Sequence, residues 1–259
     1  MAYETLLLKK EGRVAVLTLN RPQKFNLVAE DMLLELEQAQ NEIEKMDDLG
    51  AVVLHGAGDH FCAGMNLKTL LNVDSAWVRK HLPWLQSVYS RWEELPVPVI
   101  AAVHGLCLGS AVEMILGCDI RIAATNAHLA IPEVKYGLAP DMGGTTRLTK
   151  LIGIGQAKRM IIGCEEIDAA EAKAIGMVDI VVEPEQLMER AMELANRIAG
   201  FPPVAVNLAK KGINLAQESS RMASLMFEQA QSIYCCGTED QTEAVTAFFE
   251  KRKPVFKGK

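Results

Sequence analysis

The sequence predicts an α/β protein, a wound and layered core followed by a part made only of helices. Three observations carry this. Short apolar runs rich in β-branched residues alternate with amphipathic stretches from residue 3 to residue 183. Two of the strand runs, over 51–55 and 98–103, each pass through a glycine-containing turn into a helix start. Beyond Pro184 the strand pattern stops, and Phe201-Pro202-Pro203 marks the entry to a last helical region. The chain therefore divides into a core over 1–200 and a helical C-terminal region over 201–259.

The elements follow in order. Residues 3–10 and 13–19 read as two strands around the turn Glu11-Gly12, with Val14, Val16, Leu17 and Leu19 as strand formers. The segment 20–26 is a polar loop. Met32, Leu33, Leu36, Ala39 and Ile43 recur at helical intervals and predict an amphipathic helix over 29–47. A buried strand over 51–55 leads into a loop over 56–66 and a short helix. Residues 75–95 predict a helix with Trp77, Leu85, Val88 and Trp92 on its apolar side, ended by Pro96. The strand over 98–103 gives way at Gly105 and Gly109 to a helix over 110–116. Residues 120–124 and 128–131 read as strands, 132–144 as irregular, and Gly143-Gly144 begins another helix. Asp168-Ala169-Ala170-Glu171 has capping-box spacing and opens a helix that stops at Gly176. The last strand spans 177–183, and helices are predicted over 204–216, 222–234 and 239–251.

Composition narrows the class. The 259 residues are 49% hydrophobic but only 5% aromatic, which suits an α/β core of Val, Ile, Leu, Ala and Met. A net charge of −6 disfavours nucleic acid as a general partner. The six cysteines form no Cys-x-x-Cys pair and no metal spacing, so they read as reduced, mostly buried thiols and no metal site is expected. Met1-Ala2-Tyr3-Glu4 opens no secretory pattern, and the cytoplasm is the expected compartment.

Glu113 is a lone acid inside the apolar stretch 98–119. Ser110-x-x-Glu113 has capping-box spacing, so the carboxylate either ties its own helix start or serves a ligand. The stretch is long enough for a membrane helix, but its prolines, glycines and glutamate disfavour one. Gly105-Leu106-Cys107-Leu108-Gly109 fits a nucleophile elbow, an arrangement that expects its histidine late in the chain. All histidines here (His55, His60, His81, His104, His128) lie in the first half. No Gly-x-Gly-x-x-Gly follows the first strand, Gly153-Ile154-Gly155 lacks the third glycine and precedes a helix, and no Walker loop occurs, so a nucleotide cofactor is not expected.

Several segments then share one pattern: Asn20-Arg21-Pro22, Phe61-Cys62-Ala63-Gly64-Met65-Asn66-Leu67, Ala102-Val103-His104-Gly105 through Glu113, Cys118-Asp119 and Pro132-Glu133. It continues in Gly137-Leu138-Ala139-Pro140-Asp141-Met142-Gly143-Gly144-Thr145-Thr146-Arg147-Leu148, in Ala169-x-Glu171-Ala172-x-x-x-Gly176-Met177-Val178 and in Ala247-Phe248-Phe249-Glu250-Lys251-Arg252-Lys253. In this order and spacing the chain resembles the crotonase, or enoyl-CoA hydratase/isomerase, superfamily over nearly its whole length.

The resemblance implies a crotonase-type spiral core of repeated ββα units and a C-terminal helical trimerisation part, assembled as a homotrimer or as a hexamer of paired trimers. It implies an acyl-CoA substrate, with the coenzyme part of that substrate and no other cofactor. The amides of Met65 and Ser110 match two donors that hold the thioester oxygen as it becomes enolate-like, and losing one such donor costs about 3–4 kcal/mol. Glu113 and Glu133 match the two glutamates of members that hydrate enoyl-CoA, where a held water and a proton for the α-carbon suit paired carboxylates. Read without the resemblance, Glu133 is a loop acid beside Pro132. Ala63, Gly64, Asn66, Leu67 and Gly109 join Met65 as substrate-binding positions, and Lys24, Phe248 and Lys251 as candidates for the CoA moiety. Asp141 matches a position that is catalytic in some relatives and a plain loop acid in others. Asn66 stands where most members have Asp, and Ser110 and Ala111 where glycines are usual.

The leading expectation is hydration of a 2-enoyl-CoA. Alternatives are a double-bond isomerase with Glu133 as proton shuttle, a hydrolase-like member, and a non-catalytic scaffold on the same surface. The basic tail (Lys251, Arg252, Lys253, Lys257, Lys259) is either a solvated face or, with Lys24, a contact for CoA phosphates.

Overall fold

The computed structural model describes residues 3–259; Met1 and Ala2, the first residues of the segment read for a leader, lie outside the described residues. The chain winds in units. The first is a hairpin of β1 (Leu6–Glu11) and β2 (Val14–Leu19) followed by α1 (Glu30–Glu44). The second runs from β3 (Ala51–Gly56) through the short α2 (Leu67–Leu70) to the long α3 (Ser75–Glu94). The third is β4 (Val99–Val103), β5 (Leu106–Leu108) and α4 (Ser110–Leu116). The fourth is β6 (Ile120–Ala124), β7 (His128–Ala130) and α5 (Thr146–Ile162). Then come β8 (Ile167–Asp168), α6 (Ala169–Ala174) and β9 (Ile180–Val182), and four helices: α7 (Leu187–Ala199), α8 (Pro203–Ala216), α9 (Arg221–Cys236) and α10 (Glu239–Glu250).

The long strands form one sheet in the order β1-β2-β3-β4-β6-β9, antiparallel at the hairpin and parallel elsewhere. β2 and β4 are buried along their whole length, as expected of a sheet covered on both faces. On one face Val14, Val53, Ile100, Ala102 and Ile122 pack against α7. Ala191, Ala195 and Ala199 recur every fourth residue and let that helix approach closely. A side chain at Gly50 would sit 2.4 Å from the Ala199 Cβ. The opposite face, with Leu17, Val52, Leu54, Val99 and Ala101, joins the main core beneath α1, α3 and α4.

A second layer holds the short segments. β5 pairs in parallel with β7, and isolated parallel bridges join Cys62 to Cys107 and Val28 to Met65. Each turn of the winding thus sends a strand into the large sheet and a shorter extended segment into the second layer, where successive segments lie side by side. Residues 106–108, expected as a turn, are therefore a strand. Three residues between two glycines carry no strand period, and it is the neighbouring segment that extends them. Gly153-Ile154-Gly155, expected ahead of a helix, lies inside α5, where Gly153 (φ +79°) kinks it. Among the described residues no helix is long and apolar enough to cross a membrane.

The last three helices bury little. α8 buries only Lys210, α9 nothing, and α10 only Asp240 and Ala247. Lys210 is a tether: its Nζ donates to Trp92 O (2.8 Å), Val97 O (3.1 Å) and Asp119 Oδ2 (2.8 Å). Asp240 accepts from the amides of Lys257 (2.7 Å) and Gly258 (2.8 Å), folding the tail back on α10. Ile213, Met226, Ile233, Phe248 and Phe249 stand 63% to 78% exposed.

Candidate active site

Two backbone turns meet at the heart of the second layer. Cys62 N donates to Leu106 O (3.0 Å) and Leu108 N to Cys62 O (3.1 Å), locking the turn after β3 to the turn after β4. The contact needs glycine at Gly64, because with φ at +89° a Cβ there would lie 2.5 Å from Leu108 O. The Asn26 carboxamide holds the first turn by donating to the carbonyls of Ala57 (2.9 Å), His60 (2.9 Å) and Phe61 (3.1 Å). In the sequence Asn26 is only part of the polar loop over 20–26. Neighbouring amides are spent: Ala63 N on Phe25 O, Asn66 N on Val28 O, Gly109 N on Ala130 O. Met65 N and Ser110 N have no acceptor among the described residues. Ser110 is the first residue of α4, whose opening N–H groups have no partner within the helix.

Two carboxylates face these amides. Glu113 is 1% exposed, and the capping-box reading of it fails. The residue preceding α4 is Gly109 with no side-chain cap, and Glu113 reaches instead to the 142–144 loop. Its Oε1 accepts from Met142 N and Gly144 N, both at 2.9 Å, while Oε2 has no protein donor among the described residues. Burial pushes its carboxyl up to about 7, the two amides restrain the rise, and the charges of Glu133 and Asp141 add to it. Glu133 begins a single 3₁₀ turn, Glu133–Tyr136. It hangs over Gly109, where a Cβ would meet Glu133 Oε1 at 2.6 Å, so the φ of +55° is not the only reason for glycine there. Glu133 Oε2 and Ser110 Oγ are buried without partners. Burial, then the charge of Asp141, holds Glu133 above the usual carboxylate range, and burial raises Asp141 as well.

These groups line one cavity of about 650 Å³. Ala63, Gly64, Met65, Asn66, Leu67, Gly109, Ser110, Glu113, Glu133 and Asp141 all border it, so the structure gathers every candidate from the two turns and all three acids. Lys24, Phe248 and Lys251 do not line it. Lys24 ends an exposed 3₁₀ turn, Phe248 is 78% exposed on α10, and Lys251 closes that helix. Part of the basic tail is already neutralised: Arg252 forks onto Glu243 (2.5 and 2.7 Å) and Lys257 lies 3.5 Å from Glu239. Trp77, Leu82, Trp84 and Leu85 of α3 make the apolar end of the cavity. Of these, helical periodicity marks only Trp77 and Leu85, and as apolar-face residues. The nucleophile-elbow alternative fails, since Cys107 is fully buried inside β5 and burial raises its thiol well above the ordinary range.

Comparison with known proteins shows the kinship of the whole chain. The family model "Enoyl-CoA hydratase/isomerase" matches residues 9–259. The short-chain-enoyl-CoA hydratase of Clostridium acetobutylicum is 43% identical over 254 residues, covering 98% of this chain and 97% of that protein. The crotonyl-CoA hydratase of Syntrophomonas wolfei is 38% identical over 257 residues, covering 99% of each. A crystal structure of an enoyl-CoA hydratase from Bacillus anthracis superposes with a TM-score of 0.95 at 36% identity, covering 99% of this chain and 100% of that one.

Proposed function

The chain belongs to the enoyl-CoA hydratase/isomerase family, and on that premise we propose that it adds water across the 2,3 double bond of a short 2-enoyl-CoA, with Glu113 and Glu133 as its acid–base pair. One observation carries the reading: a buried carboxylate, Glu113, a half-buried one, Glu133, and two unspent amides, Met65 N and Ser110 N, border one cavity. Burial raises both carboxyls, Glu113 up to about 7, so a protonated and an ionised carboxyl are both accessible near neutrality, and the reaction uses the form that carries the proton on Glu133. Glu113, ionised, takes a proton from water as the water oxygen bonds to C3. The double-bond electrons move onto the thioester oxygen, held by the two amides. Glu133, protonated and over the amide turn, gives its proton to C2. The net change is one water added, and no redox partner or further cofactor is called for. The names of the similar hydratases support a short acyl chain, and the apolar end made by α3 suits one.

The same reading assigns residues 201–259 to assembly as a homotrimer or a pair of trimers in the cytoplasm. Its support is the exposed apolar surface of α8–α10. Phe248 and Lys251 then reach CoA across a subunit boundary, since they stand apart from the cavity of their own chain, whereas the Lys24 carbonyl accepts from the amide of Leu27, which lines that cavity. Loss of the conjugated-thioester absorbance of crotonyl-CoA, with a 3-hydroxyacyl-CoA found by mass, is the expected result. Conversion of a 3-enoyl-CoA without any hydration would instead establish the isomerase, and inertness toward both would leave the hydrolase-like member or the scaffold.

A further inference from the structure

One face of α3 grips the loop that grips Glu113. Gln86, Ser90 and Glu93 are spaced four and three residues apart, so they share a stripe of the helix. Gln86 Nε2 donates to Asp141 O at 2.7 Å, and the N–H of that same peptide, Met142 N, donates to Glu113. Glu93 takes a two-pronged bond from Arg147, Nε to Oε1 and Nη2 to Oε2, both 2.8 Å. Arg147 Nη2 also donates to Ser90 Oγ (2.9 Å), and its Nη1 to Met142 O (3.1 Å). Gly143 leaves room for this, because a Cβ there would fall 2.1 Å from Arg147 Nη1. The peptides on both sides of Met142 are thus fixed from α3, and with the first of them the Met142 amide on Glu113 Oε1; the Gly144 amide belongs to the next peptide, whose carbonyl, Gly143 O, accepts from Arg147 N (2.8 Å). A planar fork is required, and a lysine cannot supply it.

We infer that Arg147, clamped by Glu93 and Ser90 and assisted by Gln86, is a positioning residue that fixes the rotamer of Glu113 and aims its free oxygen into the cavity. The inference rests on the proposed role of Glu113. The charged groups that face Glu113 are Glu133 and Asp141 from the two acid loops and Arg147 from α5, with the Tyr89 phenol nearby on α3. A loosened loop withdraws the amides that favour the ionised carboxylate, so its proton affinity rises.

The test uses Arg147→Lys, Glu93→Gln and the milder Gln86→Ala, each in wild-type and Glu113→Gln backgrounds, with crotonyl-CoA as substrate. For Arg147→Lys and Glu93→Gln, kcat should fall about 10- to 100-fold with KM within about twofold. The acid limb of the kcat/KM profile should move up by about one pH unit. Gln86→Ala should move both in the same direction by less, and it decides the matter if the other two do not fold. In the Glu113→Gln background none of the three should lower kcat further. Infrared difference spectra of each protein against its Glu113→Gln counterpart read the same titration without turnover. An inactive wild type would therefore end the hydratase reading while the spectra still judge the clamp. Unchanged titration, or losses that add fully to Glu113→Gln, would overturn it.

Discussion

The cavity and the C-terminal helices break the same rule in opposite directions. In the cavity, carboxylates lie inside an apolar body; on α8–α10, large apolar side chains face water. The buried acid Glu113 is compensated point by point. Glu113 has two amides at 2.9 Å and a raised proton affinity. The exposed apolar residues have no such partner, and only area can answer them. A local misfit held by hydrogen bonds responds to one isosteric change, whereas a diffuse misfit responds only when surface is removed.

Glu133→Gln should break the first region most completely. With only the acid removed, kcat should fall about 10²–10⁴-fold while light scattering shows an unchanged assembly. Activity within tenfold of wild type would remove the assigned role. Glu113→Gln should cost turnover on a similar scale, about 10²–10⁴-fold, and it adds a stability signature. The folded carboxyl titrates near 7 against an ordinary 4.5, so its contribution is intact below 4.5 and declines as pH rises through about 7. The glutamine variant, which keeps an acceptor for both amides, should therefore exceed wild type by about 3 kcal/mol at pH 8 and match it near pH 4. Denaturant unfolding at both pH values checks this, and a gap that grew toward acid would contradict the burial argument.

Gly109→Ala sharpens the boundary between acid and amide. Its methyl would meet the Glu133 carboxylate at 2.6 Å, so the amide turn or the acid must move. A loss of about 10²-fold in kcat is expected, read in the same assay with melting as the control. The smallest catalytic effect belongs to the second region. Deleting residues 238–259 removes α10, the Asp240 clasp and Phe248 and Lys251. Smaller oligomers by light scattering and a several-fold higher KM for acyl-CoA are expected together, with kcat changed least. A truncated chain of full-size assembly and unaltered kinetics would separate this region from both roles.

The sequence announced the long parallel strands, because runs such as Val99-Ile100-Ala101-Ala102-Val103 are apolar on both faces and need no partner to be recognised. Both glycine turns and the residues of the three acids were legible as motif. The fate of Glu113 was not, since a capping box and a reach across to Met142 share one spacing and differ only in where a distant loop lies. β5 and β8 were hidden for the same reason: segments of three and two residues hold their shape through pairing. Asn26 gave no signal beyond its polarity, although its carboxamide carries three carbonyls of the first turn.

The bridge between Cys62 and Cys107 has a consequence in time. The two amide donors sit on segments far apart in sequence, and they face one cavity only when those segments have paired. Nothing local to either turn can build half a working site. Contacts of this separation are slow to close and form with the global fold. Recovery of activity during refolding should therefore track the last cooperative phase, with no active intermediate ahead of it.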